Sequence, residues 1–194
     1  MTSTRQRIID AALTVVAEHG LADVTMVSVA DTAGVARATL YNHYSDYNHY
    51  SDVASILADA ATTHNQHATD GLRQALAVVS TPTQAIRQLV RYIATISTHG
   101  HTIATHHGFP PGLRDQLASF DTELEQQLEH VLTSGIATGD FRPDLDAATT
   151  ATLLRHALNG VSELVAATPE RAAHTADEAA STLLAAIAAN QKTS

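Results

Sequence analysis

Residues 25–44 read TMVSVADTAGVARATLYNHY, and this stretch decides the fold. Thr25 stands just ahead of an apolar-periodic run, where a hydroxyl can accept from a free N–H of a helix's first turn. Met26, Val29 and Ala30 follow at three- and four-residue spacing, so one face of a short helix is apolar. Gly34 ends it, and a second short helix begins after Val35 and carries Leu40, Tyr41 and Tyr44. Two short helices that meet at Ala33-Gly34-Val35 make a helix-turn-helix, with Gly supplying the turn and Val packing beneath it. Such a unit can set its second helix in the major groove of DNA, with polar side chains outward and Leu40 and Tyr44 inward.

Outward from this centre the chain stays helical. A helix over about Arg5 to His19 places Ile8, Ile9, Ala12, Leu13, Val16 and Ala17 on one face, and Gly20 stops it. Asp52 suits the N-cap of a long helix with Ile56 and Leu57 inward. Thr81-Pro82-Thr83-Gln84 is a helix start with a Thr cap and Pro at the first position. The helix it opens carries Ile86, Leu89, Val90, Ile93 and Ile96. From Leu113 the stripe runs Leu117, Phe120, Leu124, Leu128, Val131, Leu132, and Gly139-Asp140-Phe141-Arg142-Pro143 ends it. A helix from about Asp146 to Ala167 and a last one from about Thr175 to Asn190 complete the chain, with Pro169 between them. Strand signals are nearly absent. The expected fold is all-α with about nine helices: a three-helix helix-turn-helix domain over residues 1–52 and a helical body over 53–194.

Composition narrows the function. Apolar residues make up 44% of the 194, enough for a real core. There is no cysteine, which excludes disulfides, thiolate metal sites and cysteine nucleophiles and suits a reducing cytoplasm. No signal-peptide pattern opens the chain and no apolar run approaches a membrane span, so a cytoplasmic protein with no membrane partner is expected. The net charge is −9, and the first 52 residues hold only Arg5, Arg7 and Arg37 as cations. DNA binding therefore rests on the motif and not on charge.

The stretch from about Arg5 to Leu57 resembles the N-terminal domain of the TetR family of repressors. The residues that carry the resemblance are the apolar face of the first helix, the Val29-Ala30 and Ala33-Gly34-Val35 core, and above all Thr39-Leu40-Tyr41-Asn42-His43-Tyr44. Gly139-Asp140-Phe141-Arg142-Pro143-Asp144 is similar to the family's turn before its penultimate helix. The resemblance implies a homodimer, a pseudo-palindromic operator and a small-molecule inducer. It places Arg37, Thr39 and Asn42 at bases or nearby phosphates, Tyr41 and His43 at phosphates, and Thr25 at a cap that also touches a phosphate. Three positions depart from the pattern: Ala36 for a capping Ser, Val27 for a frequent Arg, and Val53 for a phosphate-binding Lys.

The resemblance also implies a ligand pocket inside the body. Ile93, Ile96, Phe120, Leu124, Leu154 and Leu158 are the expected lining, with Tyr92, His99, His156 and Asn159 as polar anchors. With three Phe and no Trp the pocket lacks an aromatic cage, so a neutral or weakly polar ligand of modest size is expected. The last two helices would form the dimer bundle through Leu158, Val161, Leu183 and Ile187, with Gly160 permitting close approach.

Two features stand outside this scheme. YNHYSD occurs at residues 41–46 and again, unchanged, at 47–52, where the family spacing needs one copy. The chain also has twelve histidines; His64 and His67 share a helix face, and His99, His101, His106 and His107 crowd one segment. Imidazoles so placed can bind Zn, Cu or Ni, so a metal-sensing repressor of the same fold is the alternative, although no spacing is a defined metal motif. An enzyme is disfavoured: there is no Gly-rich phosphate loop, GxSxG or HExxH, no cofactor is expected, and Glu123, Glu125 and Glu129 read as a solvated face.

Overall fold

The computed structural model describes residues 3–44, 52–98 and 111–189, and for Ala17, Asp52 and residues 111–117 the backbone course alone. His99, His101, His106 and His107, and all but Asp52 of the second YNHYSD copy, lie outside these residues. Eight α-helices are described: α1 (Thr4–His19), α2 (Met26–Ala33), α3 (Arg37–Tyr44), α4 (Asp52–Ala77), α5 (Pro82–Ser97), α6 (Pro111–Thr138), α7 (Ala147–Ala167) and α8 (Ala172–Ile187). Short 3-10 turns occupy Leu21–Asp23 and Pro169–Arg171. The described residues form no strand beyond a single bridge, and none of their helices is long and apolar enough to cross a membrane. The fold is all-α, as expected.

Packing divides the chain into two compact units. The first takes the described residues up to Gln66 together with the start of α6 as far as Leu117; the second takes the rest from His67. The expected division at 52/53 marks the start of α4, whereas packing divides that helix further along. Ile56 joins the core of the first unit, while Ala68 and Leu72 join that of the second.

The first unit is built on α1. Ile8, Ala11, Ala12 and Val15 are its buried face, and they share a core with Val29, Ala30, Ala33, Leu40, Tyr44 and Ile56. Leu13 and Val16, expected inward, are only partly buried, because the face that packs is turned toward Ala11 and Val15.

The second unit centres on α5, which packs on both α7 and α8. Its stripe of Ile86, Leu89, Val90, Ile93 and Ala94 is buried, and Ser97 continues it with a buried hydroxyl that donates to Ser162 Oγ of α7 at 2.8 Å. Thr81 caps α5 by accepting from Gln84 N. Polar ties cross between helices at the margins. Arg155 of α7 donates to Glu125 at 2.8 Å and Thr152 also donates to it, and these bonds hold the Glu125 carboxyl below the usual carboxylate range. Arg73 pairs with Glu123 at 3.1 Å. Glu123 and Glu125 are thus engaged with α4 and α7 as ligatures between helices, while Glu129, the third residue of the expected solvated face, is exposed.

The turn at Gly139–Asp144 closes the second unit. Phe141 is 1% exposed and its ring lies against Gly135 of α6, so close that a Cβ there would sit 2.1 Å from the ring. Only glycine fits under that ring. The flanking backbone pairs with the chain end: Arg142 N donates to Ile187 O at 3.0 Å, and Ala189 N donates to Asp140 O at 3.1 Å. This pairing draws Ala188 into an extended conformation and explains why α8 ends at Ile187, short of the expected Asn190. Asp146 then caps α7 by accepting from Thr149 N at 2.8 Å.

Phe141→Ala should destabilise the second unit by about 3–5 kcal/mol, since a fully buried ring is lost. Gly135→Ala should cost about 1–3 kcal/mol by overpacking. Urea unfolding monitored by circular dichroism measures both; a Gly135→Ala protein as stable as wild type would show that the ring is not seated on the glycine.

Candidate nucleic-acid interface

The helix-turn-helix is set by short-range hydrogen bonds. Thr25 and Ser28 form a reciprocal capping box at the start of α2: Ser28 N donates to Thr25 Oγ1 at 3.0 Å, and Thr25 N donates to Ser28 Oγ at 2.9 Å. Gly34 takes the left-handed conformation, φ 62°, that turns the chain from α2 toward α3. Arg7 reaches across from α1 and donates to Ala33 O at 2.7 Å and Gly34 O at 3.1 Å, which neutralises the carbonyl end of α2. At Ala36 no side chain can cap α3; its carbonyl simply accepts from Leu40 N.

Eight residues make α3, and only Leu40 and Tyr44 are buried. Arg37, Ala38, Tyr41, Asn42 and His43 are exposed, Tyr41 at 43%, and Thr39 is half-buried. Apart from Ala38, the exposed side chains carry hydrogen-bonding groups, while the opposite face is held in the core. The structure therefore places five of the expected DNA-contact residues, Arg37, Thr39, Tyr41, Asn42 and His43, on one short helix. Thr25 is exposed at the start of α2. Tyr41, counted among the helix's apolar residues, has its ring at the surface.

One cluster in the first unit escaped the sequence. Asp59 Oδ2 of α4 accepts from Arg5 Nη2 at 2.7 Å, from Arg5 Nε at 3.0 Å, and from the Tyr44 hydroxyl at 2.9 Å. Burial, and then the bond to Asp59, push the Tyr44 hydroxyl up to about 12. Of the head's three arginines, Arg5 and Arg7 are engaged internally and Arg37 is exposed.

Comparison with known proteins agrees with this geometry. Residues 8–46 match the profile for bacterial regulatory proteins of the tetR family, and residues 100–180 match the profile of the tetracyclin repressor-like C-terminal domain. The chain belongs to the TetR family. It is 28% identical over 147 residues to the HTH-type transcriptional repressor KstR2 of Rhodococcus jostii, covering 73% of this chain and 70% of that one. Among solved structures it shares its fold with the fatty acid degradation regulator FadR of Bacillus halodurans, with a TM-score of 0.79, 19% identity, and 95% and 96% of the two chains covered. FadR of Bacillus subtilis, solved in complex with stearoyl-CoA, matches with a TM-score of 0.76 and 17% identity over 92% and 96%.

Within the TetR body, the expected ligand residues are scattered. Phe120 and Leu124 are buried core side chains, and Ile96 packs against that core. Tyr92 is held as a strut: its hydroxyl donates to Ala68 O at 2.7 Å and its ring covers Gly71. His156 is exposed, with Nε2 3.1 Å from Arg155 Nη2. Asn159 is half-buried, and its Oδ1 is buried with no hydrogen-bond partner among the described residues. A hollow of about 390 Å³ lies between the ends of α4 and α6 and the start of α5, and a groove of about 470 Å³ lies between α5 and α8. None of Tyr92, Ile96, Phe120, Leu124, His156 or Asn159 lines either one.

The expected dimer residues need correction. Leu158, Val161 and Ile187 are at most 5% exposed within the single chain, and Leu183 packs against the same core. The first three are spent on the protomer, whereas Leu183 is half-buried. On α7 the large apolar residues left at the surface are Leu153, 64% exposed, and Leu164, 60% exposed. His64 and His67 lie on α4, and no group of three or more potential metal ligands is gathered among the described residues.

The raised Tyr44 hydroxyl gives a signed pH dependence. Its ordinary value is 10, so the stabilisation from keeping it protonated is fully present below pH 10 and is lost as pH rises through about 12. The stability of wild type relative to Tyr44→Phe should be constant from pH 8 to about 10 and fall above it, by up to about 2 kcal/mol. Urea melts of both proteins across that range measure the gap; a gap independent of pH would show the hydroxyl to be unperturbed.

Proposed function

We propose that this chain is a homodimeric transcriptional repressor that leaves a pseudo-palindromic operator when a small molecule binds its body. The observation that carries the reading is the division of α3 into a buried face, Leu40 and Tyr44, and a polar face bearing Arg37, Tyr41, Asn42 and His43. Arg37 suits the O6/N7 edge of guanine, and Asn42 the N6/N7 edge of adenine. Tyr41 and His43 suit phosphates, which set position rather than sequence. Thr25 and Thr39 complete the footprint, although the Thr25 hydroxyl is already engaged in the capping box.

A second copy of the chain is proposed to seat on α7 and α8. Leu153, Gly160 and Leu164 lie seven and eleven positions apart, about two and three turns, and so share one face. A Cβ added at Gly160 would meet nothing within 4 Å, so that face is open in the protomer. This replaces the interface expected at Leu158, Val161, Leu183 and Ile187.

For the ligand, support comes from Asn159 and from the relatives. A buried acceptor without a partner costs about 1–3 kcal/mol, which a ligand's hydroxyl or amide proton would recover. The FadR relative is solved with stearoyl-CoA, which favours a ligand with a substantial apolar part. No catalytic step, cofactor or membrane attachment is part of this reading, and its setting is the cytoplasm. Release follows from linkage: a ligand that prefers the off-DNA shape lowers operator affinity by the same factor by which operator lowers its own.

Arg37→Ala should lose about 1–3 kcal/mol of operator affinity and relax preference at one base position. Fluorescence anisotropy with the sequence selected from a random duplex library measures this, and wild-type affinity in the variant would remove Arg37 from the bases. Leu153→Glu and Leu164→Glu should yield folded monomers in sedimentation velocity, whereas Val161→Glu should unfold the body. A dimer that survives both surface variants would place the interface elsewhere.

A further inference from the structure

Three polar bonds between helices of the head converge on one atom. Asp59 Oδ2 accepts all three of the bonds that join α1, through Arg5, and α3, through Tyr44, to α4. The Asp59 side chain is 27% exposed and the Arg5 side chain 62%, so the Arg5 pair by itself adds little stability. The Tyr44 ring is 7% exposed and packs in the core whether or not the hydroxyl is bonded. The fold of the head therefore does not need this cluster. What the cluster does fix is the last turn of α3. Leu40 anchors the middle of that helix, and among the described residues the Tyr44 hydroxyl makes the one polar bond between α3 and another helix of the head.

We propose that Asp59 is a positioning residue for operator discrimination: one carboxylate oxygen that fixes the end of the recognition helix, and through it the aim of Tyr41 and Asn42. The proposal rests on the operator-binding reading above and goes beyond it in naming a residue that touches no DNA. The physical reason is the difference in tolerance between the two kinds of DNA contact. Hydrogen bonds to base edges hold only over a few tenths of an ångström and a narrow range of angles. Attraction to phosphates is long-ranged and forgiving. A recognition helix free to rock about Leu40 keeps its phosphate attraction and loses its base readout. A residue that merely holds the fold together would lose both alike.

Tyr44→Phe and Asp59→Ala test this in the full-length protein. A random-core duplex library is selected with wild type, and the selected sequence and poly(dI-dC) serve as the specific and non-specific probes at one fixed salt concentration. Both variants should melt within about 5 °C of wild type. They should bind poly(dI-dC) within about twofold of wild type, while the ratio of specific to non-specific affinity falls at least about tenfold. The double variant should lose no more than Asp59→Ala alone, because the Tyr44–Asp59 bond is already absent there. An unchanged ratio in Tyr44→Phe, a parallel loss on both probes, or additive losses in the double variant would overturn the proposal. Tyr44→Phe carries the test alone if Asp59→Ala does not fold. A wild type that selects no sequence at all would instead overturn the operator reading and the proposal with it.

Discussion

Everything this chain presents to DNA depends on the burial of two side chains. An eight-residue helix does not hold itself together in water, because nucleation is costly and too few bonds follow to offset it. The third helix exists because Leu40 and Tyr44 enter a core made by Ile8, Ala12, Val29 and Ile56. Leu40 is 0% exposed and Tyr44 7%. Burial of this kind is worth about 1.5–3 kcal/mol per large side chain. That burial orders the helix, and ordering gives Arg37, Tyr41 and Asn42 a common direction. The capping box at Thr25 and the Arg7 bonds to the end of the second helix then refine a position that hydrophobic burial has already chosen.

The body follows a different logic. Its fifth helix is buried along a full stripe, and the seventh and eighth lie against it. The turn at Gly139–Asp144 ties the chain end to the middle through backbone pairs, so the last helix is held at its C-terminal end as well as along its length. Polar ligatures such as Arg155 to Glu125 sit at the margins of this core, where water still reaches them. Asn159 Oδ1 and Arg142 Nε are the exceptions, polar atoms buried without a hydrogen-bond partner among the described residues.

How much of this could be read from residues alone depended on how local the chemistry was. The helix-turn-helix was legible because its signals are near neighbours: Thr25 caps three residues on, Gly34 turns at once, and Leu40 and Tyr44 are one turn apart. The dimer residues were misread for a definite reason. The seventh helix is apolar on two faces, Leu154, Leu158, Val161 and Val165 on one and Leu153 and Leu164 on the other, and periodicity cannot say which faces the protomer's own core. The link from Arg5 through Asp59 to Tyr44 was beyond reach because its partners stand 54 and 15 positions apart, on helices that only the fold brings together. Phe120 and Leu124 were rightly read as inward, but inward proved to mean core.

The internal use of two arginines has a consequence for how the protein finds its site. Retention on arbitrary duplex grows with the number of phosphates a protein neutralises. Here Arg5 and Arg7 face other protein groups, no lysine occurs in the first 52 residues, and the chain as a whole carries −9. A genome offers an enormous excess of irrelevant duplex, and a strongly cationic head would spend most of its time parked there. A head with so few free cations should be held weakly by such sequence, and should then travel between sites through solution more than by sliding. Fewer molecules per cell would then be sequestered on bulk chromosome, and the fraction of time a promoter is covered would follow the number of free repressor molecules closely.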